Sequence, residues 1–338
     1  SRPSMAAANA FAALPVDDDA QVTVGTAADE KKAKAKSKKK LKRERKRAEK
    51  AAALLSASSQ PGFPGFLDGK MTRALEEFRA NTAPLSAPNC LDGCPQGLND
   101  QTLLRFLRAR DFNVKKATDM IQAAIQWRSD MRPWQIAPQE VRVVWDRGIA
   151  WRRGRDKSGR PAMWVRAGLG TPELGERSIR HSLHLIEDAC GVMEGPVENL
   201  TWVFDLTGYG SKNSDPNWSK TILQHIQNNY PERLGIAIIM NAPLVFQVLW
   251  NIVKPLMTRR TKDKIVFMGG DYREKLLDYF DPSQIPTFLG GRDPFDVVQW
   301  TAQQWGPPTD PLSFPPAEWI AAANSGMAQD DFDEGDSD

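Results

Sequence analysis

Glu232 and Arg233, flanked by Tyr230-Pro231 and Leu234-Gly235, are the residues of this 338-residue chain whose types and placing point most directly to chemistry with a polar ligand. The Tyr230-Pro231 pair imposes an extended residue after a helix. Gly235 then opens Ile236-Ala237-Ile238-Ile239-Met240, too apolar for anything but a buried strand, and Asn241-Ala242-Pro243 turns the chain into the next helix. A carboxylate and a guanidinium are thereby held at the rim of a sheet, where α/β proteins bind their ligands.

Catalytic patterns are weak by comparison. No G-x-S-x-G, phosphate-loop lysine motif or metal-binding histidine set occurs. His181 and His184 lie three apart on a helix without a third ligand and read as solvated or capping. Asp205 ends a strand without a visible partner, and Gly208-Tyr209-Gly210 is a poor fragment of a dinucleotide fingerprint. The expectation is a protein that is not an enzyme, with no metal and no cofactor.

The elements that must position these groups follow from periodicity. Asp100 can cap a helix carrying Leu103, Leu104, Phe106 and Leu107; Asn113 opens another with Ala117, Met120, Ile121, Ala124 and Trp127 at the 3.6-residue period. With a helix near 138–146 these form a small helical lobe. Ile149-Ala150-Trp151 and Met163-Trp164-Val165 flank a turn-rich loop and predict a hairpin. Helices over 179–193 and from Asp215-Pro216 to Asn229 alternate with strands at 202–206, 236–240 and 265–268, predicting an α/β layer with a mainly parallel sheet. The helix expected over 244–257 has only Gln247, Asn251 and Lys254 as polar residues, apart from Pro255, and a basic cluster follows it. Such a helix suits the interface of an anionic membrane, or else the centre of a core with a solvated tail.

Charge is segregated. Residues 31–50 hold thirteen Lys/Arg against two Glu, a net of +11, and Asp330–Asp338 hold six acids. Subtracting the +11 and −6 segments from the whole-chain +3 leaves −2 for everything else. The basic run binds polyanions: anionic membrane, RNA, or a nuclear import receptor. It lacks the interleaved aromatics of base-stacking proteins, so RNA is the less favoured partner. Cys90, Cys94 and Cys190 form no metal framework, and a reducing intracellular compartment is expected. The N-terminal residues show no basic start followed by a sustained apolar core, so no secretory signal is expected.

Three segments, in this order, resemble the CRAL-TRIO lipid-binding family and especially its phosphatidylinositol-transfer branch. They are Leu103-Leu104-Arg105-Phe106-Leu107-Arg108-Ala109-Arg110 with Phe112 and Ala117; Tyr230 to Pro243; and Lys254-Pro255 through Lys264-Ile265, with Ile285-Pro286 and Gly290-Gly291 closing the module. The resemblance implies a helical N-terminal lobe, then a mainly parallel sheet floor whose helices enclose an apolar lipid pocket under a gating helix. It implies head-group contacts from Arg110, Tyr230, Glu232, Thr261 and Lys264, acyl-chain contacts from Phe246, Leu249, Trp250 and Val253 of the gate, and membrane-facing Arg259, Arg260 and Lys262. Two departures stand out. Asp111 occupies a position where transfer proteins often carry lysine, and Ile226 one that is small and polar in dual-specificity members.

The organisation expected is therefore a disordered 1–60 containing the basic run, a linker with a short helix over 61–97, a helical lobe over 98–147, a lipid-binding α/β domain over 148–305, and a tail over 306–338 with an acidic end. The implied function is to bind one phospholipid, phosphatidylinositol or a phosphoinositide, and to transfer or present it; a sterol, isoprenoid or phosphatidylcholine carrier is the alternative. Partners implied are the lipid, an anionic membrane surface, and a lipid kinase or trafficking protein, with the chain monomeric. The location expected is cytoplasmic and peripheral to membrane, with the nucleus open through the basic run.

Overall fold

The computed structural model describes residues 27–56, 60–85 and 98–325; residues 1–26, Cys90, Cys94 and the acidic end lie outside them. Helix α1 (Ala27–Leu55) replaces the disorder expected over much of 1–60. Ala, Lys, Arg and Glu are strong helix formers. Lys38, Lys39, Lys40, Lys42 and Arg43 are exposed, and Lys40 pairs only weakly with Glu44 at 3.9 Å. The last turns belong to the globular unit. There Ala51 is buried, and Leu54 and Leu55 pack against the main core. Arg160 Nη2 donates to the Leu54 carbonyl at 2.6 Å and Lys50 Nζ to the Ile265 carbonyl at 3.3 Å.

Three helices make the N-terminal lobe: α2 (Gly69–Thr82), α3 (Asp100–Arg108) and α4 (Val114–Met131). Asp68, Asn99 and Asn113 cap them through side-chain oxygens. Leu75, Phe78, Leu103, Leu104, Phe106, Leu107, Ile121 and Ala124 form a lobe core of their own. Of the segment expected as a linker with a short helix, the described residues 61–85 supply α2 to the lobe. Its preceding turn is fastened too, with Arg108 Nη1 donating to the Gly62 carbonyl at 3.0 Å and stacking on Phe63.

Helix α5 (Pro138–Asp146), expected in the lobe, instead joins the main core through Val141, Val144 and Trp145. Strands β1 (Ala150–Arg155) and β2 (Pro161–Arg166) pair antiparallel, with Trp151 opposite Trp164. After α6 (Gly175–Gly191) comes β3 (Leu200–Asp205), and after α7 (Pro216–Asn229) comes β4 (Leu234–Met240). The next crossover is α8 (Phe246–Val253), a 3-10 turn over Lys254–Leu256, and α9 (Arg259–Asp263), leading to β5 (Ile265–Met268). The sheet order is β1-β2-β3-β4-β5, and β2 to β5 are parallel. Buried on both faces, β4 reads as a continuous apolar run.

The helix expected over 244–257 is shorter because Pro255 removes a backbone donor and Met257 is extended. Helices α10 (Tyr272–Leu276), α11 (Val297–Trp305) and α12 (Ala317–Asn324) complete the fold. Residues 306–325 are not a free tail. Ser313 Oγ donates to Asp146 Oδ2 at 3.0 Å, Arg147 donates to the Leu312 carbonyl at 3.2 Å and lies over Trp319. Among the described residues no helix is long and apolar enough to cross a membrane.

Candidate functional site

Between the sheet and helices α6, α7 and α8 lies a cavity of about 1000 Å³, at the top of the ~300–1,000 Å³ range of small-molecule pockets. Leu200, Trp202 and Phe204 of β3 line it at the period of two that strands impose. A register shift between Leu200 and Thr201 in the β3–β4 ladder lets Leu234, Ala237 and Ile239 of β4 face the same space. Ile222 and Ile226 of α7 close the far wall.

All four gate residues, Phe246, Leu249, Trp250 and Val253, line the cavity. Phe246, Trp250 and Val253 are buried, and Trp250 meets Phe267 edge-on at 5.1 Å. The outward side of the same segment is apolar as well. Val248 is 66% exposed and Leu244 56%, with Leu256 and Val245 also exposed. A surface helix ordinarily turns a polar face to water; this one is apolar on both sides.

The cavity mouth is charged. Tyr230 caps α7, and Glu232 follows with φ +59°, a left-handed conformation uncommon for a residue with a side chain. Glu232 Oε2 accepts from Lys264 Nζ and Oε1 from Arg260 Nη1, each at 3.2 Å. Lys264 also donates to the Leu234 carbonyl at 2.7 Å. Arg260 Nη1 reaches the Arg108 carbonyl at 3.0 Å, and its Nη2 lies 3.6 Å from Asp111. Thr261 donates its N–H to Thr258 Oγ1 at 3.1 Å, and Arg110 lines the mouth with Nη1 donating to the Ala109 carbonyl at 2.9 Å.

Two of the expected residues are engaged with protein partners. Tyr230 lines the cavity, but its hydroxyl donates to Glu187 Oε1 at 2.6 Å, and Glu187 in turn grips Arg128. Tyr230 is thus held in a buried network tying α4 to α6 and α7, and burial raises its pKa well above the ordinary value. Arg260 is exposed, with about half of its side chain open to solvent (47%), and its guanidinium is paired with Glu232 and Asp111. Arg259 is exposed at the mouth and Lys262 is half-buried.

Burial works against the ionised form of Glu232, yet Lys264, Arg260 and Arg108 outweigh it and hold the carboxyl below its usual range. Burial lowers Lys264, partly offset by Glu232. A carboxylate depressed in the folded state stabilises the fold above its unfolded-state pKa, and this contribution is lost as pH falls through the folded value. Glu232→Gln is therefore expected to flatten the fall in melting temperature below about pH 4.5. Thermal melts on the two proteins across the acid range check this; superimposable acid limbs would refute it.

The residues that sequence reasoning missed are deeper. Glu198, 1% exposed, bonds Arg108, lies 4.0 Å from Arg105, and accepts Arg233 on its backbone carbonyl. Burial raises its pKa against the pull of these guanidiniums. The available signal was Arg105 and Arg108 on the apolar helix α3, but their acid lies 90 residues away. Asp205, the carboxylate without a visible partner, accepts from the Thr207 N–H and hydroxyl and from Asn241 at 2.6–3.0 Å. It locks the ends of β3 and β4. His181 and His184 are not solvated: His181 is buried, and both rings meet Trp145 edge-on at 5.1 and 5.4 Å. No group of three or more His, Cys, Asp or Glu among the described residues is placed to hold a metal.

Residues 146–291 match the CRAL/TRIO domain and residues 92–123 the CRAL/TRIO N-terminal domain. Protein real-time of Anopheles gambiae is 35% identical over 216 residues, covering 56% of this chain and 31% of that protein. Phosphatidylinositol transfer protein CSR1 of Eremothecium gossypii is 30% identical over 215 residues, 58% of this chain and 48% of that one. Patellin-6 of Arabidopsis thaliana is 29% identical over 231 residues, 64% and 55% of the two chains. The chain thus spans between about a third and a little over half of these curated relatives. The crystal structure of Sfh5 superposes with a TM-score of 0.53 at 15% identity, over 76% of this chain and 96% of that one, a likeness of fold.

Proposed function

This chain belongs to the CRAL/TRIO family of lipid-binding proteins, and on that premise we propose that it holds one phospholipid, phosphatidylinositol or a phosphorylated relative, and carries it between membranes or presents it to lipid-modifying enzymes. The observation that supports this is a single cavity with apolar walls and a mouth carrying Arg110, Glu232, Thr261 and Lys264. Lys264 and Arg110 are suited to phosphate oxygens and Glu232 to inositol hydroxyls. Opening of the mouth requires Arg260 and Lys264 to exchange their bonds to Glu232 for bonds to the ligand.

Tails contribute affinity but little choice. Two acyl chains contain roughly 30 methylenes worth ~0.8 kcal/mol each out of water, but a bilayer already shelters them equally. The cavity keeps the tails dry during extraction, and discrimination falls to the head group at about 1.5–3 kcal/mol per charged hydrogen bond. A relative named as a phosphatidylinositol transfer protein agrees with this reading. Organic extraction of the purified protein followed by mass spectrometry tests it: inositol phospholipid enriched over its cellular share supports the assignment, and its absence from the extract overturns it.

Segment 244–256 is the membrane-facing gate in this proposal, and the basic α1 adds attraction to an anionic surface of about 1 kcal/mol per cation near it. Val248→Glu removes roughly 1.5 kcal/mol or more of apolar burial in the membrane, about tenfold in partitioning. The expected result is weaker co-sedimentation with vesicles at an unchanged melting temperature, because Val248 touches little in the closed protein. Parent-like vesicle binding would remove the gate from the mechanism.

A further inference from the structure

Helix α1 presents cations round most of its girth. From Lys38 to Lys46, roughly 12 Å of axis at about 1.5 Å per residue, seven of nine residues are Lys or Arg, and all seven are exposed. Lys38, Lys42 and Arg45 form one i, i+4, i+7 stripe, and Lys39, Arg43 and Lys46 form a second, displaced by about 100°. Lys40 stands about 100° further on. The cationic arc therefore covers about 220°, well over half the circumference. Glu44 is the one acid of this segment, and its pair with Lys40 is long at 3.9 Å.

That distribution selects a partner. An interfacial helix lies on a membrane by burying an apolar face, but residues 37–50 contain one large apolar residue, Leu41, which is 67% exposed. A flat anionic surface meets one stripe of a rod and leaves the other in water. Walls of phosphate on either side meet both. A single-stranded nucleic acid is held by aromatic stacking as well as charge, and this segment has no aromatic residue. The major groove of B-form DNA, about 12 Å wide, admits a helix of about 10–12 Å diameter, whereas that of A-form RNA is narrow. Charge density matches too: seven cations in roughly 12 Å stand against one phosphate charge per ~1.7 Å of duplex.

We propose that the exposed turns of α1 seat in the major groove of double-stranded DNA, held by phosphates on both walls. No described residue of α1 lines the cavity, so this site does not rest on what the cavity holds.

The test uses the full chain with a labelled DNA duplex of about 20 base pairs, the RNA duplex and the single DNA strand of the same sequence, and vesicles of phosphatidylcholine and phosphatidylserine. Duplex DNA is expected to bind with a micromolar or tighter dissociation constant at ~0.1 M salt, about tenfold tighter than the RNA duplex or the single strand. The logarithm of its binding constant is expected to fall against that of salt with a slope of about −6, seven contacts at ~0.9 each. Two triple variants separate the stripes: Lys38→Gln with Lys42→Gln and Arg45→Gln, and Lys39→Gln with Arg43→Gln and Lys46→Gln. Glutamine is a good helix former, and the melting temperature is expected to be unchanged. Each variant is expected to lose roughly 100-fold in DNA affinity at ~0.1 M salt and to flatten the slope by about 2.7. Vesicle binding with the DNA duplex left unbound, RNA duplex bound as tightly as DNA, or either variant binding DNA at the parent affinity overturns the groove site.

Discussion

Lys264→Ala is expected to slow phosphatidylinositol transfer between vesicles by about 10- to 150-fold, the equivalent of one charge-assisted hydrogen bond of ~1.5–3 kcal/mol. Lys264 is largely buried at the mouth, donating to Glu232 and to the Leu234 carbonyl. Its removal withdraws a phosphate-binding cation and leaves Glu232 with Arg260 as its remaining ion-pair partner. Lys264→Arg is expected to recover only part of the loss, because a planar guanidinium cannot reproduce a compact ammonium held between a carboxylate and a carbonyl. Glu232→Ala should fail similarly, since it strands Lys264 in a buried position that already disfavours its charge. Transfer of phosphatidylcholine in the same assay separates head-group recognition from general damage. Transfer by Lys264→Ala at the parent rate would remove the mouth from recognition altogether.

Glu198→Ala is expected to destabilise the fold by about 3–5 kcal/mol, the usual consequence of stripping one partner from a buried ionic cluster. At ~2–4 °C per kcal/mol for a domain of this size, the melting temperature should drop by about 6–20 °C. The reason is geometric. Arg105 and Arg108 project from the lobe helix α3 onto a carboxylate two residues before β3, so removing it leaves the two guanidiniums buried without their acid. Arg108 also holds the Gly62 turn and presents the carbonyl on which Arg260 rests. The same substitution should therefore loosen the charged mouth as well as the lobe. Glu198→Gln, which keeps an acceptor in place, is expected to cost less than half as much. A melting temperature within a degree of the parent for Glu198→Ala would show that the guanidiniums find solvent or other partners.

Local pattern carried much of this protein. The Trp151–Trp164 hairpin, the apolar β4, the Asp215-Pro216 helix start and the alternation of helices and strands are written in neighbouring residues, as period, cap and turn chemistry. Glu232 and Arg233 stand at a strand entrance that the pattern itself marks, whereas Arg110, Thr261 and Lys264 are named as head-group residues through the family resemblance alone. The fate of the terminal segments was not legible. The expectation is disorder over 27–55 and a tail over 306–325, yet Leu54, Leu55, Leu312 and Trp319 find partners on the main core that lie far away in sequence.

Residue types and their order determined that this chain folds as an α/β layer with a helical lobe and that polar groups stand at the rim of its sheet. Only the tertiary structure decided which polar group meets which. Glu232 takes Lys264 and Arg260, Tyr230 turns its hydroxyl to Glu187, Glu198 gathers arginines from the lobe, and His181 is buried against Trp145. Helix and strand periods are set by bonds within a few residues, whereas the pairing of buried charges depends on which surfaces meet when water leaves between them.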